Sequence, residues 1–261
     1  MKKIQPKLAQ IFLTIDMEQD CPPYLNTFRG IAEGTTSLLS LLKTEDVQTT
    51  FFVTGEIAQD YPDIIRNLIT QGHEVGSHGF AHSDYTSLDR QSAKHDIDHS
   101  LEILQQFGPV YSFRAPYLKF PQAYLDLLEK AGLLIDSSQA KYKPSYLHKS
   151  PPIKLQRIPA SITSSVLRLP AWIRNPWLSA LKSPVVLFVH PWEFVDLRAA
   201  LIPLDCRFKT GETALACLRE VIQFYKKRNF QFKKMQDMLN EHKHDSRDKE
   251  LTPYPVGKGI F

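Results

Sequence analysis

Cysteine is scarce in this sequence, and the few cysteines follow no recognisable pattern. Three are present among 261 residues, at Cys21, Cys206 and Cys217, without the Cys-x-x-Cys spacing of metal or redox motifs. An odd and sparse set argues against the disulfide framework that holds small secreted domains together. We therefore expect reduced thiols, as in a cytoplasmic protein.

Long apolar runs and concentrated charge are also missing. The sequence has no eighteen consecutive apolar residues, and residues 1–10 lack the apolar segment of a secretion signal. The net charge is only +4, with both signs mixed along most of the chain, which argues against the basic face of a nucleic-acid-binding protein. We expect a soluble cytoplasmic protein, for which peripheral contact with a membrane-linked substrate stays open.

Short apolar runs alternate with amphipathic segments along the chain. Strands that alternate with helices favour a parallel α/β sheet, either open or closed into a barrel. With 43% hydrophobic residues, the chain can bury a full core. The apolar pattern predicts strands at 11–15, 49–53, 74–77, 110–113, 133–135, 153–158, 185–189 and 230–232, and helices at 33–43, 61–71, 92–107, 121–131 and 214–228.

We interpret residues 1–240 as a single domain, because no change in composition divides them. Residues 139–183 have weak periodicity and frequent prolines, which predicts an irregular insertion. Residues 241–261 are polar, basic and proline-containing, which predicts a mobile tail. Four aromatic residues of the insertion either line a sugar groove or pack the segment itself: Tyr142, Tyr146, Trp172 and Trp177.

Residues with catalytic chemistry follow several of the predicted strands. In α/β barrels the carboxyl ends of the strands collect the active-site residues at one face. The sequence places five such residues at the ends of five separate strands, which predicts that they meet in one site: Asp16, His78, Arg114, Asp136 and His190.

His78 and His82 form the first half of a predicted metal site. Residues four apart on one helical turn share a face, so both imidazoles can bind one small cation. Catalytic zinc usually has three protein ligands and a water, so a carboxylate from elsewhere is needed. A second pair with this spacing, His95 and His99, lies opposite the apolar stripe of its predicted helix and is interpreted as solvated.

Asp16 and Glu18 are the predicted carboxylates of the site. Residues two apart on a strand point to the same face, so both can enter it. In the arrangement we favour, Glu18 binds the metal and Asp16 stays beside Arg114. In the rival arrangement Asp16 binds the metal, and Glu18 or Asp20 is the base. For Asp20, a solvated loop acid or a helix cap is the simpler interpretation.

These residue types suit metal-assisted amide hydrolysis. A divalent cation could polarise the amide carbonyl and activate water, while a free carboxylate removes the water's proton and a histidine protonates the leaving nitrogen. Arg114 would orient Asp16 and keep it ionised. Asp136 would hold and charge His190, as an acid does in a catalytic triad. Each residue also has an ordinary alternative role, as a surface salt bridge, a turn residue or a core histidine.

Five segments resemble the motifs of a known family. This family is that of the NodB-homology polysaccharide deacetylases, carbohydrate esterase family 4. The resemblance covers about residues 10 to 240. The resemblance implies a distorted (β/α) barrel, bound Zn²⁺ or another divalent ion such as Co²⁺, Ni²⁺ or Mn²⁺, and an N-acylated amino sugar as substrate. It implies that Asp16 is the base and His190 the acid, that His78 and His82 bind the metal, and that Arg114 orients the base. It also implies that the backbone N–H of Tyr117 helps to stabilise the oxyanion. The segments, in the family's order and rough spacing, are residues 14–18, 77–82, 114–117, 136–138 and 188–190.

The first motif departs from the usual pattern of this family, which has two adjacent aspartates. Here Met17 follows Asp16, and Glu18 comes one residue later. This resembles a subgroup with Asp-x-Asp or Asp-x-Glu, which includes intracellular members that act on lipid-linked sugars or small C–N substrates. The first hypothesis is N-deacetylation of an amino sugar in a polysaccharide or in a nucleotide- or lipid-linked saccharide. The alternatives are deformylation of a lipid-linked amino sugar, hydrolysis of a small amide or ureide, and carbohydrate binding without catalysis.

The metal site can be tested by removing one imidazole at a time. We expect His78→Ala and His82→Ala to lose the divalent ion and the activity together, because each removes a ligand. Metal content measured by elemental analysis, beside turnover, checks this. His95→Ala and His99→Ala are matched controls that should keep both properties. Full metal content in the His78 and His82 variants would contradict the assignment.

Overall fold

Eight parallel strands form the sheet around which the chain is arranged. The computed structural model describes residues 8–147 and 152–239, so the predicted tail lies outside the described residues. The order across the sheet is β6, β5, β4, β3, β2, β1, β7, and β8 also pairs with β1. The strands are β1 (Gln10–Met17), β2 (Thr50–Val53), β3 (Glu74–Ser77), β4 (Ser112–Phe113), β5 (Ile135–Asp136), β6 (Gln156–Arg157), β7 (Val185–Val189) and β8 (Gln231–Phe232).

The sheet curls into a distorted barrel. Beyond β6, the backbone N–H of Ser161 donates to the carbonyl of Val186 on β7 at 2.8 Å. In return, the N–H of Val186 donates to Oγ of Ser161 at 3.0 Å. These two bonds bring the two ends of the strand order together, and the predicted (β/α) barrel class is confirmed.

Helices connect the strands and cover the outside of the sheet. The helices that the sequence predicted before β2, β3, β4, β5 and β8 are present, and their ends differ from the predicted ends by a few residues. No helix among the described residues is long and apolar enough to cross a membrane. The α-helices are α1 (Thr35–Thr44), α2 (Gly55–Asp60), α3 (Pro62–Thr70), α4 (Arg90–Leu104), α5 (Leu125–Lys130), α6 (Ser164–Leu167), α7 (Ala171–Ala180), α8 (Leu204–Arg207) and α9 (Glu212–Lys226).

The insertion has more regular structure than its sequence predicted. It contains β6, α6 and α7, and the predicted strand at 153–158 is reduced to the two residues of β6. Trp172 and Trp177 on α7 are exposed, at 77% and 54%. Tyr142 instead lines the cleft at the carboxyl ends of the strands, so only this one of the four aromatic residues is placed there.

Alternation along β1 separates the packing face from the catalytic face. Ile11, Leu13 and Ile15 belong to the large core between the sheet and the helices. Phe12 belongs to a second, smaller cluster with Met235 inside the barrel. Because successive side chains point to opposite faces, Asp16 has the same inward direction as Phe12.

Asp20 is buried, contrary to the interpretation as a solvated loop acid. Its carboxylate accepts hydrogen bonds from Oγ1 of Thr27 at 2.6 Å and from the backbone N–H groups of Arg29 and Gly30 at 2.9 and 2.8 Å. The two N–H groups belong to the first residues of the helical segment that leads into α1. Asp20 therefore caps this segment, in agreement with its other interpretation as a helix cap.

We expect Asp20→Ala to lower the free energy of unfolding by roughly 1–3 kcal/mol, because buried donors lose their acceptor. Denaturant unfolding of the metal-free chain measures this without any contribution from the site. Asp63→Ala is the matched control, since this carboxylate is exposed and pairs with the exposed Arg66. Equal stability of the two variants would contradict the capping role.

Candidate active site

The carboxyl ends of the strands surround a cleft of about 210 Å³. Six of the eight residues predicted from the sequence line it: Asp16, Glu18, His78, His82, Tyr117 and His190. Arg114 and Asp136 lie behind its walls, where they are buried.

Glu18 lies at the centre of a group of three potential metal ligands. Its Oε2 atom is 2.6 Å from Nε2 of His82 and 3.3 Å from Nε2 of His78. One ligand atom from each of the three residues falls within 4.8 Å of the others. One carboxylate oxygen and two imidazole nitrogens form a donor set that suits a catalytic zinc ion or a related cation.

The hydrogen bond of His78 to a backbone carbonyl leaves its other ring nitrogen available to a cation. Its Nδ1 atom is 2.7 Å from the carbonyl oxygen of Arg114, which can only accept, so Nδ1 carries a proton. In neutral His78, Nε2 then presents a lone pair toward an oxygen of Glu18. Two lone pairs face each other favourably only with a cation between them, either a proton or a metal ion. The donor set therefore fits a divalent metal.

The surroundings keep Glu18 ionised. Burial raises its pKa, but the imidazoles of His82 and His190 outweigh burial and hold the pKa well below its ordinary value. The indole N–H of Trp192 donates to the other carboxylate oxygen at 3.3 Å. The carboxylate therefore stays negative, as a metal ligand must.

The two histidines converge through a loop, so the prediction that they share a helical turn is wrong. Residues 78–82 are not helical, and Gly79 and His82 have positive φ angles of 77° and 53°. At Gly79 a Cβ atom would lie 2.8 Å from both the hydroxyl of Tyr85 and the carboxylate of Asp96. A glycine is required there because both the backbone conformation and the space exclude a side chain.

Asp16 is held by Arg114, as predicted. Nη1 of Arg114 donates to Oδ1 of Asp16 at 2.7 Å and to Oγ1 of Thr14 at 2.6 Å. The guanidinium is fully buried, lies 4.4 Å from the ring centre of Phe52, and also donates to Oγ of Ser137 at 2.9 Å. This arrangement orients the Asp16 carboxylate.

Glu193 holds His190, a role that the sequence analysis assigned to Asp136. Nδ1 of His190 is 2.8 Å from Oε1 of Glu193, and the other oxygen of Glu193 is 3.0 Å from Nε of Arg168. Burial lowers the pKa of His190, but the carboxylates of Glu18 and Glu193 outweigh it and raise the pKa to about 9. These two carboxylates therefore favour the protonated form of His190, the form in which an imidazole can give a proton.

Asp136 points away from the cleft, which corrects its predicted role. Its carboxylate is 2.8 Å from Nε of Arg157 on the neighbouring β6, and it accepts from the N–H of Ser138 at 2.9 Å. Ile135 packs inside the barrel, and Ser137 contacts Arg114. Because side chains alternate along a strand, the residue between these two faces the other side of the sheet.

The turn around Tyr117 is supported by a residue that the sequence analysis did not identify. Tyr117 and Leu118 both have positive φ angles, of 58° and 50°, which is unfavourable for residues other than glycine. Nζ of Lys143 donates to the carbonyl oxygen of Tyr117 at 2.5 Å. The Tyr117 ring lies edge-on to His82, with ring centres 4.7 Å apart.

The second histidine pair lies apart from this group. His95 is exposed, while His99 is half-buried and packs against Phe80, with ring centres 4.3 Å apart and the ring planes tilted by 44°. Among the described residues, the group of Glu18, His78 and His82 is the one with the geometry for a metal ion. His95 is solvated as predicted, and His99 is partly covered by the aromatic ring.

The fold and this group of ligands define a parallel α/β barrel with a Glu/His/His site, and sequence comparison identifies its family. The family model described as polysaccharide deacetylase matches residues 5–135, half of the chain. The chain belongs to this family, which confirms the predicted resemblance.

The chain is similar to curated relatives over part of its length. It is 41% identical over 92 residues to a chitin deacetylase of Colletotrichum lindemuthianum, a match that covers 32% of this chain and 37% of the relative. It is 32% identical over 102 residues to a chitooligosaccharide deacetylase of Sinorhizobium fredii, covering 38% and 47%. The matches thus span less than half of either relative.

Solved structures extend the likeness of fold over most of the chain. A CE4 family pseudoenzyme from Bacillus anthracis superposes with a TM-score of 0.61 at 13% identity, covering 90% of this chain and 66% of the other. At this identity the likeness shows the fold alone. Since a pseudoenzyme has the same fold, activity has to be argued from the residues of the site.

Glu193 and Asp136 can be distinguished by the pH dependence of the reaction. The carboxylate of Glu193 stabilises the imidazolium of His190, so Glu193→Gln should lower the pKa of His190 and move the alkaline limb of kcat/KM to lower pH by roughly 1–3 units. Asp136→Asn should leave this limb in place. The pH profiles of both variants and the wild type check this, and an unshifted limb in Glu193→Gln would contradict the contact.

Proposed function

We propose that the protein is a metal-dependent hydrolase that removes the N-acetyl group of an amino sugar. The observation that supports this most strongly is the grouping of Glu18, His78 and His82 in one cleft with Asp16 and His190. This brings a candidate metal site, a base and an acid to the same cavity, which amide hydrolysis requires. The roles of the individual residues are part of the proposal.

The proposed metal ligands are Glu18, His78 and His82. A divalent ion bound there would polarise the acyl carbonyl and make a water molecule more acidic. The hydrogen bond between His78 and the Arg114 carbonyl supports this assignment, because it aims Nε2 at the carboxylate. Zinc is the ion we expect, with Co²⁺, Ni²⁺ or Mn²⁺ as alternatives.

The proposed base is Asp16 and the proposed acid is His190. Asp16 would take the proton of the attacking water, while Arg114 holds the carboxylate in place. His190 would give its proton to the leaving nitrogen, and Glu193 stabilises the protonated ring. The backbone N–H of Tyr117 would donate to the oxyanion, in a turn that Lys143 supports.

Relatives indicate the substrate class. The two relatives described above are named as deacetylases of chitin and of chitooligosaccharide. We infer that an N-acetylated amino sugar enters this cleft as well, from a polysaccharide or from a nucleotide- or lipid-linked saccharide. The Asp-x-Glu first motif supports a deformylase of a lipid-linked amino sugar as the second candidate, because it separates this chain from the usual Asp-Asp pattern.

The substrate is tested by release of the acyl group. The metal-loaded protein is incubated with N-acetyl and N-formyl amino sugars, both free and linked to a nucleotide or lipid, and acetate and formate are measured. Acetate release supports the first candidate, and formate release from a lipid-linked sugar supports the second. Binding of an amino sugar without release of acetate or formate would overturn the proposed hydrolase activity. It would favour the hypothesis of carbohydrate binding without catalysis.

The two carboxylates of the first motif should separate metal binding from chemistry. We expect Glu18→Gln to weaken metal binding by about 10–100-fold or more. Asp16→Asn should keep the metal and lower kcat by about 10²–10⁴-fold, because an amide cannot accept the proton of water. Metal content measured beside turnover checks both. The reverse pattern would establish the rival arrangement, with Asp16 on the metal.

A further inference from the structure

Two of the three cysteines meet in the wall of the cleft. Cys21 lies in the loop after β1, and Cys206 lies far along the chain in α8. Cys206 packs against the small apolar cluster that contains Cys21, so the two thiols lie close enough to interact. Both residues line the same cavity as Glu18 and His190. Neither thiol has a place in the hydrolysis described above.

The two thiols differ in their access to solvent. Cys21 is only 2% exposed and packs in an apolar cluster with Trp192, whereas Cys206 at the edge of this cluster is partly exposed. A soluble reagent therefore reaches Cys206 first. The hydrogen bond between the thiols lowers the pKa of Cys206 and raises that of Cys21, which also favours Cys206 as the first nucleophile.

We propose that Cys21 and Cys206 form a redox-active dithiol, which a small soluble disulfide such as oxidised glutathione converts into an intramolecular disulfide that distorts the cleft. The spacing of the cysteines along the chain gives no sign of this pair. It exists only because the loop after β1 and α8 form adjacent parts of the cavity wall.

The oxidation proceeds by two exchange steps. The Cys206 thiolate attacks one sulfur of oxidised glutathione, forms a mixed disulfide and releases one glutathione thiolate. Cys21 then loses its proton and attacks the Cys206 sulfur, which releases the second glutathione. The two protein thiols are oxidised, one glutathione disulfide is reduced to two thiols, and reduced glutathione or dithiothreitol reverses both steps.

The disulfide is positioned to affect the proposed acid. The carbonyl of Cys206 accepts from Nη1 of Arg168 at 2.9 Å, and Arg168 pairs with Glu193, which holds His190. Bringing two sulfurs from contact to bonding distance has to move α8 or the loop after β1. The predicted loss of activity rests on the proposed function, whereas the formation of the disulfide does not.

Mass spectrometry tests the covalent step. The metal-loaded wild type, Cys21→Ser, Cys206→Ser and Cys217→Ser are incubated with oxidised glutathione, denatured and alkylated. The wild type and Cys217→Ser should each lose two alkylation sites and two hydrogens, and a digest should contain the linked Cys21 and Cys206 peptides. Cys21→Ser should stop at a glutathione adduct, and Cys206→Ser should form neither product.

Two results would overturn the dithiol. One is full alkylation of the oxidised wild type, and the other is a wild type that stops at a stable glutathione adduct. The linked peptide in the wild type decides this even if a variant folds poorly. Cys217, buried in α9, is the matched control because it does not line the cleft.

Activity tests the effect on the cleft. Conversion to the disulfide should lower kcat/KM of the wild type and of Cys217→Ser by about tenfold or more, since displacing a reacting group by ~1 Å can cost ~10²-fold. Dithiothreitol should restore the rate. Unchanged activity after complete disulfide formation would overturn the distortion. If the reduced protein hydrolyses no substrate, the proposed function fails, while the mass measurement still decides the dithiol.

Discussion

A single buried guanidinium holds the two parts of the catalytic cleft together. Arg114 pairs with Asp16 and donates to Thr14 on β1 and to Ser137 after β5, while its own carbonyl accepts from His78 after β3. A fully buried charge costs several kcal/mol unless it is paired and hydrogen-bonded, so these contacts have to be kept together. The residue thereby aligns the proposed base with a proposed metal ligand, and three neighbouring parts of the barrel depend on it.

The charges of the cleft are arranged so that one carboxylate differs from the other two. Asp16 has the guanidinium of Arg114, and Glu193 has that of Arg168, so each has a permanent cationic partner. The partners that the structure gives Glu18 are imidazoles and the indole of Trp192, which carry no permanent charge. Glu18 is therefore the carboxylate for which an exchangeable cation is the natural partner. Glu18 and Glu193 both raise the pKa of His190.

Much of the barrel could be predicted from the apolar pattern, but the bounds of its shortest elements could not. The strands at 74–77 and 185–189 were predicted with their observed ends, because 185–189 is an uninterrupted apolar run between two prolines, and 74–77 lies between Gly72 and the histidine motif. The two-residue strands β5 and β6 and the short helix α2 are too brief for a period to appear. Their positions depend on hydrogen bonds to neighbouring strands, which the local sequence does not contain.

By itself, the sequence determined the family, the alternation of strands and helices, and the residues that follow the strands. That was enough to place Asp16, Glu18, His78, His82 and His190 in one cleft, since parallel strands end at a common face. The direction of each side chain was decided only by the tertiary structure. A strand reverses its side chains with every residue, so Asp136 falls on the far side and Glu193, held by Arg168 from the insertion, takes its place at His190. The meeting of Cys21 and Cys206 was likewise decided only by folding, because contact between distant segments arises from packing and not from their spacing along the chain.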